Sequence, residues 1–285
     1  MMRPSAIFAL LLALTSGCGF IAGADVVQLD HTASVEDVNV GQLVVTREVG
    51  VDLLRVVEGQ GAFQALLRTR EWIGPDETPS SDRIQVSFVS VDGRLSPRIT
   101  GAGANINLQR MDLRAPAGIP VAIDSSAEEV ELDGLAGDTR VVGRSKLVVT
   151  NHSGPLTTET RGAQSIASSG YVDLQSREAI SLRGGSGGTV ISDATVTIEV
   201  SEALNEDLFV SAGESVRIVI REQTPVTLLL QSGTGDIDVG VRTDVFQITG
   251  ATQRQRIELF GGGPTLEVAA TTFIDVTDGI DPGAI

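Results

Sequence analysis

The chain has 285 residues, of which 32 are Gly and one is Cys, and its formal net charge at pH 7 is −16. Such an acidic surface repels nucleic acid and anionic lipid, whose binding depends on neutralising negative charge with Lys and Arg, so a nucleic-acid partner is excluded. The many Val, Ile, Thr and Gly residues, together with few long helical patterns, predict an all-β protein.

Residues 1–17 have the features of a secretory signal peptide. Arg3 precedes an apolar segment, Ala6–Leu14, which small residues follow. The sequence Thr15-Ser16-Gly17-Cys18 resembles the bacterial lipobox, which implies that Cys18 is lipidated and becomes the first residue of the mature chain. Lipidation also gives a role to an unpaired cysteine on an exported protein. We expect a lipid-anchored envelope protein, with the outer membrane favoured because Gly19 is not aspartate; the alternative is an ordinary signal peptide cleaved nearby.

Residues 18–36, including His31, show little periodicity and are predicted to form a tether. From Val38 onward, apolar residues alternate as in strands. Residues 61–72 fit either a helical stripe or a strand, and we favour the strand. Residues 73–83 contain Pro and Ser and predict a surface loop, and the strand after it, starting at Ile84, turns at Asp92-Gly93.

Three segments in residues 111–143 have a distinctive order. Leu113–Pro116 is a strand ending in Ala-Pro, Val121–Asp124 alternates, and Val130–Gly137 is a strand followed by glycine-containing turns. This order resembles the bacterial "putative adhesin" family of cell-envelope β-solenoid domains, over about residues 38–275. The resemblance implies an envelope location and a binding or scaffolding role, with no enzyme activity carried over.

A repeated unit follows, in which a small residue and a glycine precede alternating apolar residues. The glycines are Gly154, Gly170, Gly187, Gly213 and Gly233, at intervals of 16, 17, 26 and 20 residues. A period near twenty predicts a solenoid, in which each turn of chain stacks its strands in parallel on the last. We therefore predict a single-domain parallel β-solenoid, or β-helix, over residues 37–285, in which these glycines provide positive φ at the turns.

Two further segments interrupt or end this repeat. Residues 201–208 predict a turn insertion within the longest interval. Residues 257–259 and 266–268 predict the final rungs, and the polar, Pro-containing segment 273–285 is expected at the exposed end of the solenoid.

Alternating carboxylates are the candidates for metal binding. Glu129, Glu131 and Asp133 share one face of a predicted strand, and Asp236 and Asp238 share another. Stacked carboxylates can hold Ca²⁺, which makes Asp236 and Asp238 weak candidates for a metal site. The favoured interpretation is a solvated outer face whose charges alternate with arginines, for which the candidates are Arg140, Arg177 and Arg217. Residues 275–281 lack the ligand order of an EF-hand.

Candidates for catalysis and ligand stacking are few. His152 and Ser153 are adjacent, so on a strand their side chains point in opposite directions and cannot act as base and nucleophile. Residues 184–188, Gly-Gly-Ser-Gly-Gly, lack the Lys and helix of a phosphate loop and predict a turn. Trp72, beside the Pro-containing loop, is the one weak candidate for a binding platform, the alternative being a packed Trp.

The sequence thus predicts a non-enzymatic envelope protein without a cofactor, anchored to the membrane through lipid at Cys18. Its solenoid surface would serve adhesion or the binding of an unknown protein or glycan partner. One alternative is a periplasmic structural or stress-response scaffold. Another is a β-helix enzyme acting on acidic polysaccharide, which requires Arg and Asp to cluster in a cleft across neighbouring rungs.

Overall fold

A computed structural model describes residues 25–36, 40–74, 78–80, 83–103, 105–221, 224–241, 246–251 and 253–278. The strands of this part of the chain form two sheets, sheet A with 12 strands and sheet B with 13. It contains one short 3-10 helix, Arg47–Val49, and no α-helix, so the all-β prediction is confirmed. It has no helix with the length and apolar character that crossing a bilayer requires.

The solenoid is regular between β8 and β19, where strands alternate between the two sheets. Sheet B holds β8 (Val121–Ser125), β10 (Thr139–Gly143), β12 (Leu156–Thr160), β14 (Val172–Ser176), β16 (Gly188–Ser192) and β18 (Leu208–Ala212). Sheet A holds β9 (Glu129–Asp133), β11 (Lys146–His152), β13 (Gln164–Ser168), β15 (Ile180–Gly184), β17 (Val196–Val200) and β19 (Val216–Ile220). Each strand pairs in parallel with the next strand of its own sheet, an arrangement of two mostly parallel sheets that is consistent with the predicted β-solenoid.

The core lies between the two sheets. Val130, Leu147, Gln164, Ile180 and Val196 are stacked in register along sheet A, and all five are buried. Gln164 fits because its amide bonds to the Thr158 and Thr160 hydroxyls and to a backbone carbonyl. Strands alternate inward apolar and outward polar residues, and the buried cluster continues from Val40 to Val276.

The N-terminal strands depart from chain order. They are β1 (Asp25–Val35), β2 (Gln42–Val45), β3 (Leu53–Gly59), β4 (Phe63–Ile73), β5 (Gln85–Val91), β6 (Arg94–Thr100) and β7 (Ile106–Pro116). The first rung, β2 and β3, lies between β6/β7 and β8/β9. Antiparallel pairs continue both sheets outward: β1 and β7 flank β4, and β5 pairs with β6. The strand predicted over residues 61–72 and the turn at Asp92-Gly93 are confirmed.

The C-terminal strands are arranged in a similar way. They are β20 (Val226–Ser232), β21 (Ile237–Gly240), β22 (Phe246–Ala251), β23 (Arg254–Leu259), β24 (Thr265–Ala270) and β25 (Ile274–Thr277). The last rung, β24 and β25, lies between β18/β19 and β20/β21. The prediction that residues 257–259 are a final rung is wrong, because β23 is antiparallel and pairs with β20 and β22 near the sheet edge. Residues 274–277, expected at the exposed end, lie inside sheet A.

Part of the predicted tether is a strand. Residues 25–35 form β1, which pairs along its whole length with β4. The physical reason is that β4 would otherwise present an open edge of eleven residues, and β1 alternates exposed and partly buried side chains that suit it. His31 is part of this sheet, and its Nε2 lies 3.2 Å from the Thr69 hydroxyl. Residues 1–24, which include the predicted signal peptide and Cys18, lie outside the described residues.

Close stacking of the turns, more than positive φ, explains several of the repeated glycines. A Cβ on Gly154 or Gly170 would collide with a backbone carbonyl of the preceding rung, although neither residue has a left-handed φ. The prediction of positive φ is therefore wrong for these two glycines, and also for Gly213 and Gly233, whose Cβ atoms would likewise meet a carbonyl oxygen of a neighbouring rung. Positive φ does occur in the turn from Gly184 to Gly188, which confirms a turn there.

Candidate functional site

An open groove of about 780 Å³ crosses the outer face of sheet A near its N-terminal end. Five neighbouring strands, β1, β4, β7, β3 and β9, contribute to it. Their outward side chains line the groove because successive residues of a strand point to opposite faces of the sheet. The groove therefore rests on a rigid five-strand platform whose inner face is part of the core.

Arginines and carboxylates alternate across this groove and directly beside it, where Glu131 and Arg110 lie. Asp112 of β7 lies opposite Arg55 of β3, which lies opposite Glu131 of β9. The Arg55 Nε is 3.8 Å from a Glu131 carboxylate oxygen, and its Nη2 is 3.6 Å from an Asp133 oxygen. Arg110 pairs with Asp112, with an Nη2 to Oδ1 distance of 2.8 Å. The groove thus presents charges of both signs that already balance one another in part.

Hydrogen bonds fix Asp133 at one wall of the groove. Its Oδ1 accepts bonds from the Thr150 hydroxyl at 2.8 Å and from the Asn151 amide at 3.0 Å. These bonds, with the charge of Arg55, lower the pKa of Asp133. A general acid at neutral pH needs a raised pKa, so Asp133 is suited to binding a cation or a donor group and not to donating a proton.

One arginine of the groove is left without an ionic partner. Arg114 of β7 is exposed, and no described residue forms an ion pair with it. Its strand neighbours are Val57 and Gln64, which are uncharged. A guanidinium in this position can bind a carboxylate or a hydroxyl of a ligand, because it offers several donors in a fixed plane.

The predicted outer face of β9 is confirmed, but its predicted partners are wrong. Glu129, Glu131 and Asp133 alternate with buried Val130 and Leu132. Their cations are Lys146, 3.0 Å from Glu129, and Arg55, and not the arginines predicted from the sequence. The strands beside β9 are β3 and β11, and none of the predicted arginines is on either strand. Arg140 is on β10, Arg177 follows β14, and Arg217 is on β19.

Asp236 and Asp238 do not form a built metal site. Both are exposed at the β21 edge of sheet A. Asp275 lies opposite Asp238 on β25, and it pairs instead with Arg217 at 3.6 Å. Within the described ranges, no group of three or more His, Cys, Asp or Glu side chains could hold a metal ion.

Trp72 lies on the outer face of sheet A and is 47% exposed. It is opposite Val26 of β1, which is also exposed, and the Arg70 guanidinium lies 5.1 Å from its ring centroid. Leu66, which lines the groove, is six residues away on the same strand, or roughly 20 Å at the strand rise of about 3.3 Å per residue. The structure therefore places Trp72 outside the groove.

His152 lies in the interior of the solenoid. Its side chain is 1% exposed, and its ring nitrogens make no hydrogen bond of normal geometry with the described residues. Burial lowers the pKa of His152, although the nearby Gly154 backbone and the charge of Asp138 offset part of this effect. The preceding residue, Asn151, has a φ of 54° at an irregularity in the pairing of β11 with β13.

No protein-family model and no curated protein matches the chain. Among solved structures, it is similar to a "putative cell adhesion protein" from Clostridium sporogenes ATCC 15579, at 11% identity and a TM-score of 0.24, over 88% of this chain and 99% of that one. It is also similar to a "putative adhesin" from Bacteroides fragilis NCTC 9343, at 9% identity and a TM-score of 0.41, over 87% of this chain and 96% of that one. Both TM-scores are below 0.5, so neither likeness indicates a function for this chain.

Proposed function

We propose that the protein is a non-enzymatic component of the bacterial cell envelope, anchored through lipid at Cys18, whose solenoid surface binds a protein or glycan in adhesion. The groove on sheet A is the observation that carries this proposal. It is open, rigidly supported and lined by arginines and carboxylates. Such a lining forms directed hydrogen bonds with the polar groups of a partner.

Binding is favoured over catalysis by the state of the charged groups. The groove meets one requirement of a polysaccharide-acting enzyme, since Arg and Asp cluster on one face across neighbouring rungs. However, Asp133 and Glu131 contact Arg55, and hydrogen bonding keeps the pKa of Asp133 low. Both features stabilise the carboxylate and oppose its use as a proton donor.

The binding role is tested with beads coated with purified chain, applied to a glycan array and to fixed bacterial cells. We expect the double variant Arg55→Gln with Arg114→Gln to reduce retention on the bound glycan or cells at least tenfold, since hydrogen bonds to charged groups are worth about 1.5–3 kcal/mol each. The double variant Arg94→Gln with Arg254→Gln removes the same charge from exposed positions outside the groove and should retain binding. Equal retention by the two double variants would contradict a binding role for the groove.

The anchor is tested separately by labelling growing cells with radioactive palmitate. We expect label on the wild-type protein and none on Cys18→Ser, which should also appear in the soluble fraction. A wild-type protein without label, and soluble after cell breakage, would refute the anchor while leaving the groove proposal open to its own test.

A further inference from the structure

A second cleft, of about 590 Å³, lies at the corner where the chain leaves sheet B and turns towards sheet A. Three exposed arginines line it: Arg144, Arg161 and Arg177, each directly after a strand, β10, β12 and β14 respectively. The strands β10, β12 and β14 are consecutive neighbours in sheet B. Because neighbouring strands lie about 4.8 Å apart, the three side chains leave the backbone at that interval along the solenoid axis. These three residues are called the arginine corner below.

The guanidinium groups of the arginine corner have no close ionic partner among the described residues. None of the three forms an ion pair or side-chain hydrogen bond with a described residue. Arg47, at one end of the cleft, differs because it pairs with Asp124 at 2.6 Å. Like charges on neighbouring turns repel, and an anionic ligand that bridges them removes this repulsion. On a chain with a net charge of −16, a cluster of three such arginines is a candidate site for an anionic ligand.

The backbone beneath these arginines is held firmly. The Ser176 hydroxyl donates to the Gly162 carbonyl oxygen at 2.8 Å and accepts from the Glu178 N–H at 3.0 Å. The Thr160 hydroxyl donates to the same Gly162 carbonyl at 3.1 Å. These bonds fix the turns that carry Arg161 and Arg177, so the backbone at these arginines is ordered before a ligand binds and binding costs less backbone entropy.

We propose that the arginine corner binds a polyuronate, an acidic polysaccharide with one carboxylate on each sugar, lying along the solenoid axis. Guanidinium groups bind carboxylates in a bidentate manner, and one guanidinium per rung suits an extended polymer with one anion per repeat unit. Gln175 and Ser126 also line the cleft and can bond to sugar hydroxyls. This inference rests on the proposed binding function and names the ligand class for a site separate from the groove on sheet A.

The lining of the cleft favours a polyuronate over a single-stranded nucleic acid. Single-strand binding relies on aromatic side chains on which bases stack, and no aromatic residue is among the described residues that line the cleft. The cleft also contains Glu159 and Asp193, whose carboxylates can accept bonds from sugar hydroxyls.

The test measures binding of the full purified chain to a fluorescent hexamer of galacturonic acid by anisotropy, at low and at high NaCl. We expect Arg161→Gln to weaken binding about tenfold or more, and the triple variant with Gln at 144, 161 and 177 to abolish it. Arg161→Lys should restore only part of the affinity, because Lys keeps the charge but not the bidentate geometry. The triple variant Arg94→Gln, Arg98→Gln, Arg254→Gln matches the loss of charge at exposed positions outside the cleft and should bind like the wild type.

Wild-type binding that weakens with salt and is lost only in the arginine-corner variants supports the proposal. Any of four results overturns the proposal. The wild-type chain does not bind the hexamer, or it binds a neutral hexamer equally well. Alternatively, both triple variants lose the same affinity, or the wild-type chain binds single-stranded DNA more tightly than the hexamer. Circular dichroism shows whether the corner triple variant folds. If it does not fold, the affinities of Arg161→Gln and Arg161→Lys decide whether the proposal is supported or overturned. Because purified chain is used, failure here leaves the palmitate and bead experiments unaffected.

Discussion

Substitution of Gly162 by Ala tests how closely the turns of the solenoid stack. A Cβ on Gly162 would lie 2.6 Å from the Ser145 carbonyl oxygen and 2.8 Å from the Lys146 nitrogen. Carbon and oxygen atoms normally approach to about 3.3–3.6 Å, so the backbone of one rung must move by several tenths of an ångström. Gly162 has no left-handed φ, which separates this effect from backbone strain.

Overpacking of this kind costs about 1–3 kcal/mol, which corresponds to a fall in Tm of about 2–12 °C at about 2–4 °C per kcal/mol. The measurement is thermal unfolding followed by circular dichroism, with hydrogen exchange to show faster exchange at the turns beside β12 and β13. Gly103→Ala is the matched control, since its Cβ would have no neighbour within 4 Å and its φ is not left-handed. Equal Tm values for the two variants would refute close stacking at this corner.

Three other predictions concern single side chains. Because burial lowers the pKa of His152, the His152 side chain binds a proton more readily in the unfolded chain than in the folded chain. We therefore expect Tm to fall as the pH drops below about 6.5, the ordinary pKa of histidine. The variant His152→Leu should make Tm less dependent on pH. An unchanged pH profile in His152→Leu would contradict this. Ser176→Ala should cost about 0.5–1.5 kcal/mol, because it removes the hydroxyl that bonds the Gly162 carbonyl and the Glu178 N–H. Ser165→Ala, on the exposed face, should cost nearly nothing, and equal denaturation midpoints for the two variants would rule this out. Trp72, the sole Trp, should be readily quenched by acrylamide in the folded protein, and strong protection would show that it is packed.

The central solenoid could be predicted from the sequence because its strands pair with strands that are close to them in sequence. Strands β8, β10, β12, β14 and β16 begin 16 to 18 residues apart, and each strand needs only its neighbours to be placed. The alternation of Val130 and Leu132 with carboxylates likewise assigned the two faces of β9 correctly. The groove could not be predicted, because Asp112 meets Arg55 only when β7 lies outside β3, against chain order.

The ends of the solenoid were beyond prediction for the same reason. Nothing in residues 265–277 indicates that β24 and β25 enter between two earlier rungs, since this depends on contacts with strands far away in sequence. The arginine corner, in contrast, did leave a signal. Arg144, Arg161 and Arg177 are 17 and 16 residues apart, the spacing of the rungs themselves, so a search for charges at the rung period would have found them.

Protease treatment of intact cells that express the protein tests the proposed envelope role most directly. Released peptides are identified by mass spectrometry, and broken cells serve as the control for cleavage. We expect peptides from residues 38–274 to be released from intact cells, because a solenoid that binds a partner in adhesion must face outward. Release only after cell breakage would contradict adhesion and would favour a periplasmic scaffold.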